Sequence, residues 1–202
     1  MLLAPDDAAL FYRAWGSILV WVNEQRHVVP PFPAPTPGHP IEPPITNQLR
    51  KVLWADDGLR ERFLADGAGG LSDAERDLIA SWRHRVTDDF TLLRHLKRHS
   101  IFMSKAAYAV LGIYTPLEVM LPHVPMYVTA TLLPFGERII TDGNIESPSI
   151  HISFGGGARR MFREEYSAVL SRGQLVKSLP PPATNVVALA AAATGRRSRG
   201  GR

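Results

Sequence analysis

The chain has 202 residues, 45% hydrophobic and 21% charged, the size and balance of a globular protein with one core, which argues against wholesale disorder and against a membrane-embedded protein. It contains no cysteine, so a disulfide framework, thiol catalysis and thiolate-bound zinc or iron–sulfur sites are excluded. The formal charge of +4 equals the contribution of Arg196, Arg197, Arg199 and Arg202; with these set aside, 19 basic residues face 19 acidic ones, and bulk charge does not by itself point to nucleic acid.

Asp6 and Asp7 are plausible N-caps for a helix over about residues 8–25, in which Leu10, Phe11, Ala14, Trp15, Ile18, Leu19 and Val22 recur at helical spacing. Tyr12 and Trp21 fall outside that stripe, so this helix is expected to be covered on more than one side. Its most apolar run is broken by Gly16 and Ser17 and follows acidic residues, the pattern of neither a signal peptide nor a membrane span; the expected location is the cytoplasm.

Residues 30–44 hold eight of the 17 prolines and predict an extended strap over the chain's own surface. Thr46 is placed to cap a short helix carrying Leu49, Val52, Leu53 and Trp54, and Asp57 another carrying Leu59, Phe63 and Leu64 before the glycines 67–70. Ser72 and Glu75 form a capping box, and Leu78, Ile79, Trp82 and Val86 carry the longest helix onward as far as Leu96. Beyond Ser100 the pattern becomes β-rich, with strands expected at 101–103, 107–113, 127–133, 138–141 and 149–154. Turns are expected at 134–137 and at Asp142, Gly143 and Asn144, and one helical turn at 116–121. A closing helix is predicted over 159–170, ended by Arg172 and Gly173, then a short strand at 175–179; no internal repeat is present.

The most suggestive motif is Ile152, Ser153, Phe154, Gly155, Gly156, Gly157, Ala158, Arg159 and Arg160, a strand feeding three glycines and a helix. Glycines let backbone N–H groups approach a phosphate or carboxylate, the helix dipole adds partial positive charge, and Arg159 and Arg160 supply forked donors. It is neither a Walker loop nor a dinucleotide fingerprint. The same glycines also suit a tight corner where a Cβ would not fit. His151 alternates with Ile150 and Ile152 and shares a strand face with Ser153, beside the glycines.

Arg94, His95, Lys97, Arg98 and His99 place positive charge at the end of the predicted long helix, where cations favour the dipole. His95 and His99 stand at metal-ligand spacing, but no third ligand follows, and nucleic-acid contact by these cations lacks a recognised module. Asp88 with Asp89, and Asp142 with Glu137 and Glu146, could do acid–base work; as a solvated face and turn formers they need no such role.

The stretches FYRAWGSILVWVNE, KVLW, LSDAERDLIASWRHRV, LLRHLKRHSIFM, YAVLGIYTPLE, VTATLLPFGERIITDG and ISFGGGARRMFREEY span about residues 10 to 180. In wording and order they resemble a family of uncharacterised bacterial proteins, some of which carry a C-terminal cysteine-rich SEC-C zinc tail. The resemblance implies one intact domain and brings no reaction, ligand or catalytic residue. This sequence has no cysteine and ends in RRSRGGR, so neither the zinc tail nor the associations such a tail brings are implied for it.

The expected architecture is α+β: a single domain over 1–180, with N-terminal helices on a small antiparallel sheet closed by the C-terminal helix, and a disordered basic tail over 181–202. The expected function is a non-enzymatic binding or accessory protein that holds an anionic, phosphate-bearing group, of a small molecule or of nucleic acid, at Ser153, Gly155, Gly156, Gly157, Arg159 and Arg160, with His151 beside them. One alternative is an enzyme acting on a phosphorylated substrate in that loop with His151 or Asp142 as acid or base. Another is a structural module that docks a protein partner through the strap or a sheet edge. No catalytic residue, metal ligand, cofactor or membrane contact is assigned.

Overall fold

In the computed structural model, which describes residues 2–32, 41–147 and 156–180 except the side chains of 158 and 159, helix α1 runs Pro5–Arg26. Proline at its first position loses no hydrogen bond, and Asp6 and Asp7 complement the dipole in its first turn. The helix stops where His27 turns left-handed at φ 48° and donates its N–H to Asn23 O at 2.7 Å. Contacts divide the chain into two units, residues 4–83 and the residues from 84 onward together with the first three.

In the first unit, α2 (Pro43–Ala55) begins on Pro43 and Pro44, so these two belong to a helix rather than to the strap, whose residues 33–40 lie outside the described ones. Thr46 therefore sits inside α2 and caps nothing. Helix α3 (Asp57–Arg62) is capped by Asp56, one residue earlier than expected, whose Oδ1 accepts from Gly58 N at 3.0 Å. It continues into a π-helical turn over Phe63–Gly67. Gly67 is required there: a Cβ would lie 2.7 Å from both Trp21 and Phe63. Helix α4 (Asp73–Ser81) starts with the capping box, Ser72 N donating to Glu75 Oε2 at 2.8 Å and Glu75 N to Ser72 Oγ at 3.4 Å. Phe11, Trp15, Trp54 and Trp82 gather around one point, with ring centroids 5.6 to 6.3 Å apart. Such offset and edge-on pairs add to the area the rings bury.

The helix expected to reach Leu96 ends at Ser81. A 3₁₀ turn over Trp82–His84 leads into strand β1 (Val86–His95), followed by β2 (Ser100–Met103), β3 (Ala107–Leu111), the short helix α5 (Leu117–Met120), β4 (Met126–Phe135), β5 (Arg138–Glu146), α6 (Gly156–Ser171) and β6 (Leu175–Val176). The α+β class is as the sequence predicts, but the sheet is mixed rather than wholly antiparallel. β1 pairs antiparallel with β2 and β4, β2 with β3, and β4 with β5, while β3 and β5 run parallel. These five pairings close a ring in the order β1-β2-β3-β5-β4, and β6 joins β3 in parallel.

Closure puts alternate residues inside, where Phe90 meets Phe102 and Tyr108 edge-on at 5.8 Å each. The expected hairpin at 134–137 is present, its two-residue turn made by Gly136, at φ 56°, and Glu137. No turn forms at Asp142 to Asn144: β5 runs through them with Gly143 at φ 85° and a register shift opposite Ala130 and Leu132. On the outer face Leu93, Ile101, Met103 and Ala107 pack under Phe162 and Tyr166 of α6. That helix ends at Gly173, φ 65°, as expected, and the strand predicted at 149–154 has only residues outside the description.

Candidate functional site

Of the glycine corner, Gly156 and Gly157 are the first two residues of α6, which starts three residues before the expected Arg159. Both are exposed, and a Cβ on either would meet no described atom within 4 Å, so close packing among the described residues does not require glycine there. Arg160 is exposed on the first turn of α6, while Arg159 is described only in its backbone. His151, Ser153 and Gly155 lie outside the described residues.

The cations expected at the end of a helix instead surround the turn of a β-hairpin. β1 and β2 are joined through Lys97 and Arg98, with Leu96 N donating to His99 O at 2.8 Å across the turn. Arg94, Lys97 and Arg98 are exposed, and no Asp or Glu occurs between Asp89 and Glu118. Lys177, exposed just after β6, lies near enough for its charge to act on His99. Among the described residues Lys97, Arg98 and Lys177 have no ion pair or hydrogen bond, and the Arg94 guanidinium lies 6.0 Å from the centre of the Tyr166 ring. The end of β3 is bracketed by the two hairpins: Val110 pairs with Ser100, which follows the β1–β2 turn, and with Ile139, which follows the β4–β5 turn.

The two histidines differ in setting. His95 Nδ1 hydrogen-bonds Ser100 Oγ at 2.8 Å and Nε2 hydrogen-bonds Leu121 O at 2.9 Å, which occupies both ring nitrogens. With His95 on β1 and His99 past the turn, their four-residue spacing is no helical ligand pair. His99 is half-buried, and its Nε2 is shut off from solvent without a hydrogen-bond partner among the described residues. Burial, then the charges of Lys177 and of the chain's amino terminus, hold its pKa below the usual 6.5.

Asp88 and Asp89 lie on β1, not on a helix. Asp89 Oδ1 accepts a hydrogen bond from Thr129 Oγ1, and burial, followed by the charge of the Asp88 carboxylate, raises the pKa of the interior phenol Tyr108. Asp142 is 1% exposed, and its Oδ1 accepts from Asn144 N at 3.1 Å within β5. Among the described residues no three His, Asp or Glu come together as a metal site, and no described helix is long and apolar enough to cross a membrane.

Sequence reasoning named Arg94, Lys97, Arg98 and His99 but missed Lys177, which reaches them only because β6 pairs with β3, an association no local pattern announces. Comparison of the chain with protein-family models, with curated proteins and with solved structures gives no match.

Proposed function

We propose that this chain is a non-enzymatic binding protein whose β-barrel holds a phosphate-bearing polyanion, a single strand of nucleic acid, at the rim around the β1–β2 turn. The observation that carries it is the set of exposed cations Arg94, Lys97 and Arg98 on an acid-free stretch of sequence, with Lys177 near them; Lys97, Arg98 and Lys177 have no ion pair among the described residues. Each such charge contributes little in water, so a lone phosphate gains little from them. A polyanion contacts several at once and releases condensed counterions with each contact.

The ring order supports the same ligand class. A five-stranded Greek-key barrel with one parallel closure and a helix between its third and fourth strands is the arrangement of barrels that take oligonucleotides on strands 2 and 3 and the adjoining 1–2 and 4–5 loops. A shared fold does not carry a shared ligand, and it is the cations that mark the site. Here α6 covers the outer face of β2, which is buried along its length, and the rim is what remains open.

The test is fluorescence anisotropy with a labelled single-stranded DNA or RNA oligomer, with inorganic phosphate as competitor. Lys97→Ala/Arg98→Ala is expected to weaken binding about tenfold and to lower the salt slope by roughly 0.7 per lost phosphate contact. Absence of binding by the unaltered chain, or binding indifferent to this pair, overturns the proposal. If Arg159→Ala/Arg160→Ala alone abolishes binding, the ligand belongs at the glycine corner.

A further inference from the structure

Within the hairpin, one imidazole adjoins the proposed ligand. His99 follows Arg98 directly, its main chain is fixed by the hydrogen bond from Leu96 N at 2.8 Å, and its ring is half-buried with Nε2 enclosed and unpartnered among the described residues. The charges that act on it are those of Lys177 beyond β6 and of the chain's terminal amino group, both positive, and Lys97 and Arg98 precede it in the same turn.

We propose that His99 makes anion binding at this hairpin pH-dependent: protonating its imidazole adds a charge to the cation cluster, and a bound phosphodiester strand in turn favours the protonated ring. The proposal rests on the hairpin being the anion site. The coupling is reciprocal. In the free protein the imidazolium is opposed by burial and by positive neighbours. A polyanion at Lys97, Arg98 and Lys177 cancels the field of those neighbours, so the ligand must raise the affinity of His99 for a proton. By linkage, the proton must raise the affinity for the ligand by the same factor.

The experiment measures oligonucleotide affinity from pH 8 to 5 for the unaltered chain, His99→Gln and Lys97→Ala/Arg98→Ala. Alongside it, the ring-proton NMR signal of His99, identified by its loss in His99→Gln, is titrated with and without oligonucleotide. The unaltered chain is expected to bind roughly two- to fivefold more tightly at low pH, the effect of one partly exposed charge pair. His99→Gln should keep the affinity measured at pH 8 and lose most of that increase, and the His99 titration should move to higher pH with ligand bound. Tight binding with the same pH dependence in His99→Gln, or an unmoved His99 titration, overturns the switch and leaves the binding site standing. Absence of binding at every pH overturns the site, and the switch with it.

Discussion

Glu75 is a carboxylate held charged in a place that disfavours charge. It is 6% exposed, and burial pushes its pKa up, yet hydrogen bonds from Ser72 N and Oγ at 2.8 and 2.7 Å and from Arg13 Nε at 2.7 Å outweigh that and leave the pKa below the usual 4.5. Because the folded state prefers the ionised form, this stabilisation is complete above pH 4.5 and is lost as pH falls through the folded-state pKa. Glu75→Gln should therefore lower the urea midpoint at pH 7, and the difference from the unaltered chain should shrink towards pH 3; a constant difference would mean that the charge is not what matters. Ser72→Ala removes the cap and should cost about 1 kcal/mol in the same measurement. His99 depends on pH in the same direction, over a higher range. Its folded-state pKa lies below 6.5, so its contribution is full above pH 6.5 and falls away as the pH drops from there towards the folded-state value. Thermal midpoints of His99→Gln should accordingly be less sensitive to acid between pH 7 and 5. At Gly67 the constraint is steric: Gly67→Ala drives a methyl against Trp21 and Phe63, with an expected loss of about 1 to 3 kcal/mol by chemical denaturation.

At the scale of elements, the instructive residues are Leu78, Trp82, Val86 and Phe90. A spacing of four satisfies the helical repeat approximately and the strand repeat of two in full, so these residues extend a helix on paper while the chain turns through Trp82–His84 and becomes β1. The strand is legible once Val86, Phe90 and Leu92 are assigned inward and Thr87, Asp89 and Thr91 outward; Asp88, an inward carboxylate, obscures the alternation. α1, the capping box, the Gly136 turn and the Gly173 stop were legible because each depends on neighbours in sequence. Helix α6 also reads correctly, but its attachment does not. Its buried side chains among the described residues are Phe162 and Tyr166, with Val169 half-buried, so the helix depends on two rings. Phe162→Ala/Tyr166→Ala should strip hydrogen-exchange protection from 156–171 while β1, β4 and β5 keep theirs, and should raise dye binding to the uncovered Leu93, Ile101 and Met103. Loss of protection throughout the barrel would instead make α6 part of its core.

For the whole molecule, class was readable from composition and periodicity, whereas closure was not: the parallel pairing of Val110 with Ile139 and that of Tyr108 with Val176 join segments that no turn connects. The candidate site shared that fate. Its residues were visible as a basic run, but their gathering at a barrel rim with Lys177 required the topology. Net charge raises the same problem of place over number, since the arginines at 196 to 202 equal the whole formal excess. Both the tail and the hairpin can attract a polyanion, and ionic strength separates them. Removing residues 181–202 should weaken binding at low salt and lower the slope of log affinity against log salt, in proportion to the tail's phosphate contacts. Lys97→Ala/Arg98→Ala should still weaken the truncated chain by the factor seen in the full one, because sites that share no contact contribute additively. Anisotropy titrations of the four chains at two salt concentrations check this. If the hairpin substitutions matter only while the tail is present, the tail is the binding element and the barrel rim a bystander.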